Sequence, residues 1–375
     1  MKFLIERHLL ETTLNNISRG LSTKTPLPVL TGIYIKAERE KLVFITTNKE
    51  ISIRVEIPVS ENLSIDEQGV CVVPGKYFID IVKKIEGNNV EFTLFDTSTI
   101  KILSRNSDFT LIPFDSTNFP RTEFEPFGSR FQISCKDLKQ IIKQTSFACA
   151  TSENRIILTS LNFTIKGQQL TAIATDSFRL SKKIFEFADS YPNIQMNVPC
   201  RSIEEFTKII PDSDEEIDVY VDSNHILFKY ENLAFLSRLV EGLYPNTSSI
   251  VPQQFLLEVK FDRAELMAAT DRASLFTELD SLNLVKITFK ASQETAEIAS
   301  NSTEMGRVVE TVSVLERSEK LDFQIAFSSK HLLDALKAVT TDTIVMKFTG
   351  EIRAAVLYGE GDESLVQFLI PVRIF

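Results

Sequence analysis

Glycine and histidine are scarce in this chain, and their scarcity excludes several classes of enzyme. Only 12 of the 375 residues are glycine, and no Gly-x-Gly-x-x-Gly or Gly-x4-Gly-Lys-Ser/Thr motif is present to hold a nucleotide phosphate. His-Glu-x-x-His and Gly-x-Ser-x-Gly are also absent. The three histidines, His8, His225 and His331, are scattered and match no zinc-site spacing. We therefore expect a protein without catalytic residues, metal or cofactor.

Cysteine is also scarce, and long apolar runs are missing. The four cysteines are Cys71, Cys135, Cys149 and Cys200, and no two of them are closely spaced. This pattern favours reduced, mostly buried thiols over a disulfide framework or a metal site. No run approaches the roughly 18 apolar residues of a membrane span. Charged residues follow Met1 too closely for a signal-peptide core, so we expect a cytoplasmic protein with no membrane partner.

What the chain does contain is a three-fold internal repeat. Phe3, Phe131 and Val259 each open a short alternating strand that gives way to a helical pattern, and they are spaced 128 residues apart. A second shared feature is an apolar residue followed by a small residue, a hydroxyl and an Asx side chain, which is typical of a strand running into a turn. Its three copies are residues 45–48, 173–176 and 298–301. In the second copy alone the chain continues into Phe178-Arg179-Leu180.

Each repeat predicts two amphipathic helices and a meander of strands, which is an α+β domain. The predicted helices are residues 7–19, 76–85, 136–147, 201–210, 263–274 and 330–339. Strands of the Phe92–Leu94 type are predicted to close each repeat. Turn residues near Pro126–Gly128 and Pro252–Gln254 indicate the boundaries. We predict three domains, at residues 1–126, 127–252 and 253–375.

The distribution of charge bears on the kind of partner. The net charge is −10, yet the six predicted helices together are net positive, so the rest of the chain is more acidic than the whole. Basic residues commonly line the wet face of an amphipathic helix, but helices richer in base than their surroundings also suit a phosphate backbone held without sequence readout. Aromatic residues do not alternate with the basic ones as in single-strand binders, which favours duplex DNA. The alternative is an acidic three-domain scaffold that binds only proteins.

Several motifs, in this order, resemble those of the bacterial sliding clamp, the beta subunit of DNA polymerase III. They are Met1-Lys2-Phe3, Leu27-Pro28-Val29-Leu30, Ala174-Thr175-Asp176-x-x-Arg179-Leu180, the Val-Pro steps at 73–74 and 198–199, Leu239-Val240-Glu241-Gly242-x-Tyr244-Pro245, and Ile370-Pro371-Val372-Arg373. The resemblance covers the full length. It implies three tandem two-helix clamp domains, a head-to-tail homodimer that forms a ring around double-stranded DNA, and no catalysis or cofactor.

The resemblance also implies partners and a site for them. The expected partners are the polymerase III alpha subunit, the clamp loader, other polymerases and repair proteins, all near the nucleoid. They would dock in a hydrophobic peptide pocket between the second and third domains. Its residues would be Leu158, Thr175, Phe178, Arg179, Leu180, Pro245, Ile250, Ile370, Pro371, Val372 and Arg373.

Two further sets of residues are predicted. The candidates for DNA contact are Lys24, Lys76, Lys83, Lys84, Lys139, Lys143, Arg201, Lys208 and Lys337. The family's dimer interface matches Phe109 and Leu111 on one side, and Leu275 and Phe276 on the other.

The pocket departs from the family pattern in two places. Ser177-Phe178 replaces the usual Gly-His, and Ile374-Phe375 follow Arg373; both changes predict a bulkier, more apolar pocket. Because Thr175 and Asp176 form a turn, we expect residues 178–180 to leave the sheet and face outward. Pro371 cannot donate to a central ladder, so we expect residues 370–373 at a sheet edge.

Overall fold

The computed structural model describes residues 1–22, 24–247, 252, 254–275, 283–302 and 306–373, without the side chain of Glu153. All six predicted helices are confirmed, within three residues at either end. Over the described residues they are α1 (Arg7–Ile17), α2 (Gly75–Lys84), α3 (Cys135–Thr145), α4 (Cys200–Thr207), α5 (Arg263–Ser274) and α6 (Ser329–Ala338). The short 3-10 helices are Ser18–Gly20, Pro28–Thr31, Ser116–Asn118, Ser146–Ala148 and Glu153–Thr159. None of the described helices is long and apolar enough to cross a membrane.

The strands follow the repeat. The first repeat holds β1 (Lys2–Glu6), β2 (Gly32–Ala37), β3 (Lys41–Thr47), β4 (Ile51–Pro58), β5 (Leu63–Glu67), β6 (Gly69–Pro74), β7 (Asn89–Phe95), β8 (Thr99–Ser104) and β9 (Ser107–Leu111). The second holds β10 (Ser129–Ser134), β11 (Ser160–Thr175), β12 (Arg179–Pro199), β13 (Glu216–Val221), β14 (His225–Tyr230) and β15 (Leu233–Arg238). The third holds β16 (Leu257–Asp262), β17 (Leu284–Phe289), β18 (Thr295–Ser302), β19 (Gly306–Ser313), β20 (Glu316–Arg317), β21 (Phe323–Ser328), β22 (Thr343–Phe348), β23 (Ala355–Gly359) and β24 (Asp362–Leu369).

Two details of the strand prediction are wrong. The strands predicted to close the repeats, now β7, β13 and β22, are each followed by two more antiparallel strands. In the second repeat the separately predicted strands are joined in the long antiparallel pair β11 and β12. The pairing shifts register on either side of Gly167, but the ladder of hydrogen bonds continues past it.

The chain folds into two compact units. The first comprises Met1–Asp137 and Arg201–Leu239, and the second comprises Leu138–Cys200 and Val240–Phe375. In the first unit, sheet I has the strand order β5-β1-β7-β8-β9, and sheet II has the order β10-β13-β14-β15-β4-β3-β2-β6. In the second unit, sheet III has the order β11-β12-β24-β23-β22-β16-β20, and sheet IV has the order β19-β18-β17-β21.

Sheets II and III are each shared by neighbouring repeats. In sheet II, β15 of the second repeat pairs with β4 of the first. In sheet III, β12 of the second repeat pairs with β24 of the third. Continuous hydrogen-bonded ladders thus cross from repeat to repeat, which is why the second repeat contributes strands to both units.

Helices pack on the sheets through phenylalanine. In the first unit, Phe78 of α2 meets Phe92 of β7 edge to face, and Phe92 stacks on Phe3 of β1 with ring centroids 4.8 Å apart. Phe206 of α4 stacks on Phe228 of β14 at 4.4 Å. Truncating one such buried ring to alanine typically costs about 3–5 kcal/mol, so these contacts fix each helix on its sheet.

The second unit uses the same construction with aliphatic residues on the helices. Leu266 of α5 and Leu336 of α6 are fully buried, and both belong to one cluster with Phe261, Phe289 and Phe348 from the strands. The amphipathic pattern of each predicted helix therefore identifies its buried face correctly.

Gly128 lies at the predicted first boundary, and its backbone requires glycine. Its φ is +59°, and a Cβ atom there would lie 2.0 Å from the carbonyl oxygen of Val221. Any side chain would collide with β13, so the chain can turn into β10 only through glycine.

Candidate functional site

The hairpin between β11 and β12 carries the residues singled out by the sequence. Oδ1 of Asp176 accepts hydrogen bonds from the backbone N–H groups of Phe178 (2.9 Å) and Arg179 (3.0 Å), which is an Asx turn. The hydroxyl of Thr175 accepts from the N–H of Ser177 (3.1 Å) and donates to the carbonyl of Arg179 (2.6 Å). The predicted turn is confirmed. The first repeat uses the same device, since Oδ1 of Asn48 accepts from two N–H groups after β3.

The hairpin turns only one of its three predicted side chains outward. Phe178 is 63% exposed at the tip, as expected. Arg179 and Leu180 are only 7% and 4% exposed, and they pair with Leu369 and Phe368 of β24. The expectation that both leave the sheet is wrong, because the turn is so short that β12 resumes at Arg179.

The guanidinium of Arg179 is enclosed by groups of the same unit. Nε donates to Oδ2 of Asp176 at 3.0 Å, and Nη1 donates to Oδ2 of Asp334 on α6 at 2.6 Å. Nη2 donates to the carbonyl of Phe147, whose ring centroid lies 5.3 Å from the guanidinium carbon. A planar fork with partners on three nitrogens and an aromatic ring beneath it is held in one orientation. Arg179 thus fastens the hairpin to α6 and to the 3-10 helix Ser146–Ala148.

His331 of α6 adjoins this cluster. Its Nε2 lies 3.9 Å from Oδ2 of Asp176. Burial lowers the pKa of His331, and the nearby charge of Arg179 lowers it further, while Asp176 and Asp334 act in the opposite direction. At neutral pH the imidazole is therefore uncharged, and the fixed positive charge of the cluster is that of Arg179.

The C-terminal segment is bonded to the same hairpin. The N–H of Ile370 donates to the carbonyl of Phe178 at 3.0 Å, and the N–H of Val372 donates to the carbonyl of Ala326 at 2.8 Å. Pro371 is buried and Arg373 is exposed. The expectation that residues 370–373 lie at a sheet edge is wrong. They follow β24 as irregular chain, and β24 itself lies between β12 and β23. As predicted, Pro371 stands outside the ladder.

A third segment, around Tyr244, completes the surroundings. The Tyr244 hydroxyl accepts a hydrogen bond from the N–H of Thr175 at 3.1 Å, and burial raises the pKa of Tyr244. The amide of Asn197 donates to the carbonyls of Val240 and Gly242. Pro245 is exposed, whereas Leu158 is buried before β11. Ile250 lies outside the described residues.

These segments together present an apolar surface. Ile156, Phe178, Leu243 and Ile370 are 62%, 63%, 92% and 46% exposed. Isolated exposed apolar residues are ordinary, but several on connected segments indicate a binding surface. Sequence reasoning missed Ile156 and Leu243, although Leu243 occupies the variable position of the Gly242-x-Tyr244-Pro245 motif. It also missed Phe147 and Asp334, because a single sequence carries no signal for a partner 155 residues away from Arg179.

The DNA-contact candidates are mostly exposed, and most lie on helices. Lys24, Lys76, Lys83, Lys84, Lys143, Arg201, Lys208 and Lys337 are exposed, and Lys139 is half-buried. Nζ of Lys208 is 2.6 Å from Oε1 of Glu205, and Oε2 of the same carboxylate accepts from Arg19 at 2.7 Å. The charge of Lys208 is therefore partly offset, which makes it the weakest member of the set.

The dimer-interface candidates lie on an edge strand of the first unit and directly after α5 in the second. Phe109 and Leu111 are half-buried on β9, the last strand of sheet I. Leu275 directly follows α5 and is 69% exposed. Phe276 lies outside the described residues.

One departure from the chemistry expected of the sequence concerns cysteine. Cys149 and Cys200 form a disulfide with Cα atoms 6.7 Å apart, so the expectation of four free thiols is wrong for this pair. The two cysteines are 51 residues apart in the sequence, so their spacing does not indicate that they pair. Cys71 and Cys135 are buried and are not part of this disulfide. Across the described ranges, no group of three or more His, Cys, Asp or Glu side chains is placed to hold a metal ion.

Comparison with known proteins identifies the family. The descriptions "DNA polymerase III beta subunit" N-terminal, central and C-terminal domain match residues 1–123, 132–246 and 248–373. A beta sliding clamp of Staphylococcus aureus is 35% identical over 379 residues, with 100% of both chains covered. The crystal structure of the DNA polymerase sliding clamp from Bacillus subtilis has a TM-score of 0.96 at 34% identity, and that of the DNA polymerase III beta chain from Streptococcus pneumoniae has 0.95 at 29%; both comparisons cover 100% of each chain.

These matches confirm the resemblance read from the motifs, together with the α+β class and the three tandem clamp domains. They favour the processivity role over the protein-only scaffold. The chain belongs to the DNA polymerase III beta subunit, or beta sliding clamp, family, whose role is that of a non-catalytic processivity clamp in DNA replication.

Proposed function

We propose that two copies of this chain close head to tail into a ring around duplex DNA and tether partner proteins by short peptides. The expected partners are the polymerase III alpha subunit, the clamp loader, other polymerases and repair proteins of the cytoplasm. Domain boundaries at 126/127 and 252/253 belong to the same proposal. The observation that carries the tethering role is a set of exposed apolar side chains: Phe178, Leu243 and Ile370 on segments hydrogen-bonded to one another, and Ile156 on the 3-10 helix whose Ile157 approaches Gly242.

The shape of this surface suits an extended peptide with hydrophobic anchors. The exposed apolar side chains provide anchor sites on a hydrogen-bonded backbone. Because the site is already formed, the protein pays little ordering cost when a peptide binds. Arg179 supports the site instead of contacting the peptide, since its guanidinium is enclosed by Asp176, Asp334 and Phe147. Arg373 is the exposed cation at this end of the chain, and it is suited to an acidic residue beside the anchors.

The DNA role rests on the basic helices. Lys76, Lys83 and Lys84 on α2, and Lys143 on α3, are exposed with their charges available to phosphate. Such contacts are sequence-independent and individually weak. Retention on a nicked circular duplex, lost when the circle is cut to a line, would demonstrate encirclement and exclude the protein-only scaffold.

The decisive experiment removes residues 370–375. We expect the truncated protein to lose binding of a labelled peptide of glutamine followed by leucine and phenylalanine, measured by fluorescence anisotropy. Dimerisation and retention on circular DNA should survive, because neither is proposed to use this end. If the truncated protein bound the peptide as well as wild type, the pocket assignment would be wrong.

Point variants guard against an indirect effect of the truncation, which also removes the bond from Val372 to Ala326. Ile370→Ala should weaken peptide binding without altering the backbone. Val59→Ala is the matched control, because Val59 is 45% exposed, as Ile370 is at 46%, and belongs to the first compact unit, whereas the proposed surface is built from residues of the second. Phe178→His, which restores the usual family residue, should change affinity by about tenfold or less, near 1.4 kcal/mol.

A further inference from the structure

We infer that Cys149 and Cys200 are a reversible thiol–disulfide pair that controls the partner-peptide surface. The two sulfur atoms are paired, the Cα–Cα distance of 6.7 Å lies within the range of protein disulfides, and both residues are only 7% exposed. Disulfides in cytosolic proteins are usually transient and redox-sensing. A pair that is already juxtaposed in the folded chain is suited to that use. This inference rests on the proposed function of the surface.

The pair closes the base of the hairpin that carries the surface. Cys149 directly follows the 3-10 helix Ser146–Ala148, and Cys200 is the first residue of α4. Between them run β11 and β12, whose first pair from the base is Ser160 with Pro199. The turn at residues 175–179 is the other end of this ladder. A bond between the two cysteines therefore encloses the whole hairpin in one covalent loop.

Cys149 is also flanked by contacts that reach the surface. Phe147, two residues before it, supports Arg179 with its carbonyl and its ring. Ala150, the next residue, donates its N–H to the carbonyl of Leu158 at 2.8 Å. Fixing Cys149 thus fixes both the support beneath the hairpin tip and the turn that precedes β11.

The reduced and oxidised forms differ in one defined interaction. Sγ of Cys200 lies 3.4 Å from the carbonyl oxygen of Ser146. Only the protonated thiol can donate a hydrogen bond to that oxygen, and such bonds are weak. In the disulfide the weak bond is replaced by a covalent link to Cys149. The helix Ser146–Ala148 is then held more firmly, so the oxidised form presents a better ordered surface and binds the peptide more tightly.

The chemistry balances with a low-molecular-weight disulfide as oxidant. One cysteine thiolate attacks the small disulfide and releases one small thiol, which leaves a mixed disulfide. The second thiolate attacks the protein sulfur of that mixed disulfide and releases the second small thiol. Two protein thiols and one small disulfide become one protein disulfide and two small thiols, and two electrons pass from the protein to the oxidant.

The remaining cysteines act as internal controls. Cys71 and Cys135 are buried at 3% and 0% exposure and lie outside the Cys149–Cys200 disulfide. Burial raises the pKa of Cys71 to about 12, so its reactive thiolate is nearly absent at neutral pH. Oxidation should therefore consume two of the four thiols.

The test uses the full-length dimer, treated either with a phosphine reductant or with oxidised glutathione. Thiols are counted after denaturation, the Cys149–Cys200 link is mapped by proteolysis, and affinity for the labelled peptide is measured by anisotropy. We expect four thiols in the reduced form and two in the oxidised form. The oxidised form should bind the peptide about fivefold more tightly or better. Cys200→Ser, which keeps a donor to Ser146 but cannot pair, should show equal affinities after both treatments.

The outcomes separate this inference from the proposed function. If neither the reduced nor the oxidised protein binds the peptide, the proposed surface itself is wrong. If the protein binds but the thiol count stays at four after oxidation, or if the pair forms and affinity is unchanged or lower, the control role is overturned and the surface stands. A response of Cys200→Ser equal to that of wild type would also overturn it, since the effect would then come from other cysteines.

Discussion

Ser177 occupies a left-handed backbone conformation that is unfavourable for any residue other than glycine. Its φ is +79° at the tip of the β11–β12 hairpin, and its side chain is on the exposed turn. The left-handed region disfavours residues with a Cβ by roughly 1–2 kcal/mol. We predict that Ser177→Gly, the usual family residue, stabilises the protein by about 1 kcal/mol in urea unfolding, with peptide affinity nearly unchanged.

A matched serine makes this prediction specific. Ser98 lies in the exposed turn between β7 and β8 and does not have a positive φ. Ser98→Gly should therefore destabilise by a few tenths to 1 kcal/mol, since glycine adds entropy to the unfolded chain. Equal effects of the two substitutions would contradict the account of Ser177.

His331 should make stability depend on pH in a defined direction. Burial and the charge of Arg179 lower its pKa from the ordinary value of 6.5, with Lys330 adding to the lowering and Asp176 and Asp334 opposing it. The unfolded chain then binds the proton more readily than the folded one, so stability is present above pH 6.5 and is lost as pH falls toward the lower folded pKa. We predict that His331→Gln loses less stability than wild type between about pH 7 and pH 5 in urea unfolding. A steeper loss in the variant would contradict the direction of the shift.

Among the elements, the helices were predictable and the partners of strands were not. Leu10, Leu14 and Ile17 of α1 are buried as their spacing predicts. Amphipathic periodicity is a local pattern that a few helical turns of sequence are enough to show. The pairing of Leu180 with Phe368 joins residues far apart in sequence, and local pattern contains nothing that specifies it. The same limit explains the site. Phe178 was placed correctly from its turn, whereas the burial of Arg179 depends on Asp334 and Phe147, which only the fold brings near.

The three lysines of α2 give a prediction at the same scale. Lys76, Lys83 and Lys84 are exposed on one helix of 10 residues. We predict that reversing all three charges flattens the slope of log affinity against log salt by roughly 0.9 for each phosphate that the helix no longer neutralises. The measurement is binding of a labelled duplex over a range of salt, with circular dichroism to confirm the helix content.

The control for α2 changes the same net charge elsewhere. Arg39, Arg121 and Lys166 are exposed and lie outside the helices. Reversing these three charges should lower the affinity for DNA only through long-range repulsion, which salt screens. The slope of log affinity against log salt should therefore stay closer to that of wild type. If the slope flattened equally in both triple variants, α2 would have no special place at the DNA.

At the scale of the whole molecule, two edge strands adjoin the candidate interface residues. Each of the four sheets has two edge strands within the described residues. Strand β9 of sheet I carries Phe109 and Leu111. Strand β19 of sheet IV is joined by the Arg272–Glu310 ion pair to α5, which Leu275 follows. Open strand edges invite pairing with another chain. In a head-to-tail ring the β9 end of one copy would meet the β19 end of the next, and the exposed Leu275 would be covered in the same interface.

This arrangement predicts how interface variants behave alone. Leu275→Ala with Phe276→Ala should remove roughly 2–5 kcal/mol for each large side chain that the dimer buries. The variant should sediment near the monomer mass of 42.4 kDa at nanomolar concentration, while wild type sediments at about twice that. Leu315→Ala with Ile352→Ala is the control, since both residues are exposed apolar positions of the same unit that the proposed interface does not use.

Mixing two variants distinguishes a head-to-tail ring, which has two interfaces, from an isologous dimer, which has one. Phe109→Ala with Leu111→Ala damages the other half of the proposed interface, on β9. In a ring with two heterologous interfaces, an equimolar mixture of the β9 variant and the Leu275/Phe276 variant retains one interface in which both surfaces are native. We therefore predict that each variant is monomeric alone and that the mixture sediments as a dimer, open at its second interface and poorly retained on circular DNA. An isologous dimer places both surfaces of each copy in the same interface and leaves none undamaged, so a mixture that stayed monomeric would overturn the head-to-tail arrangement.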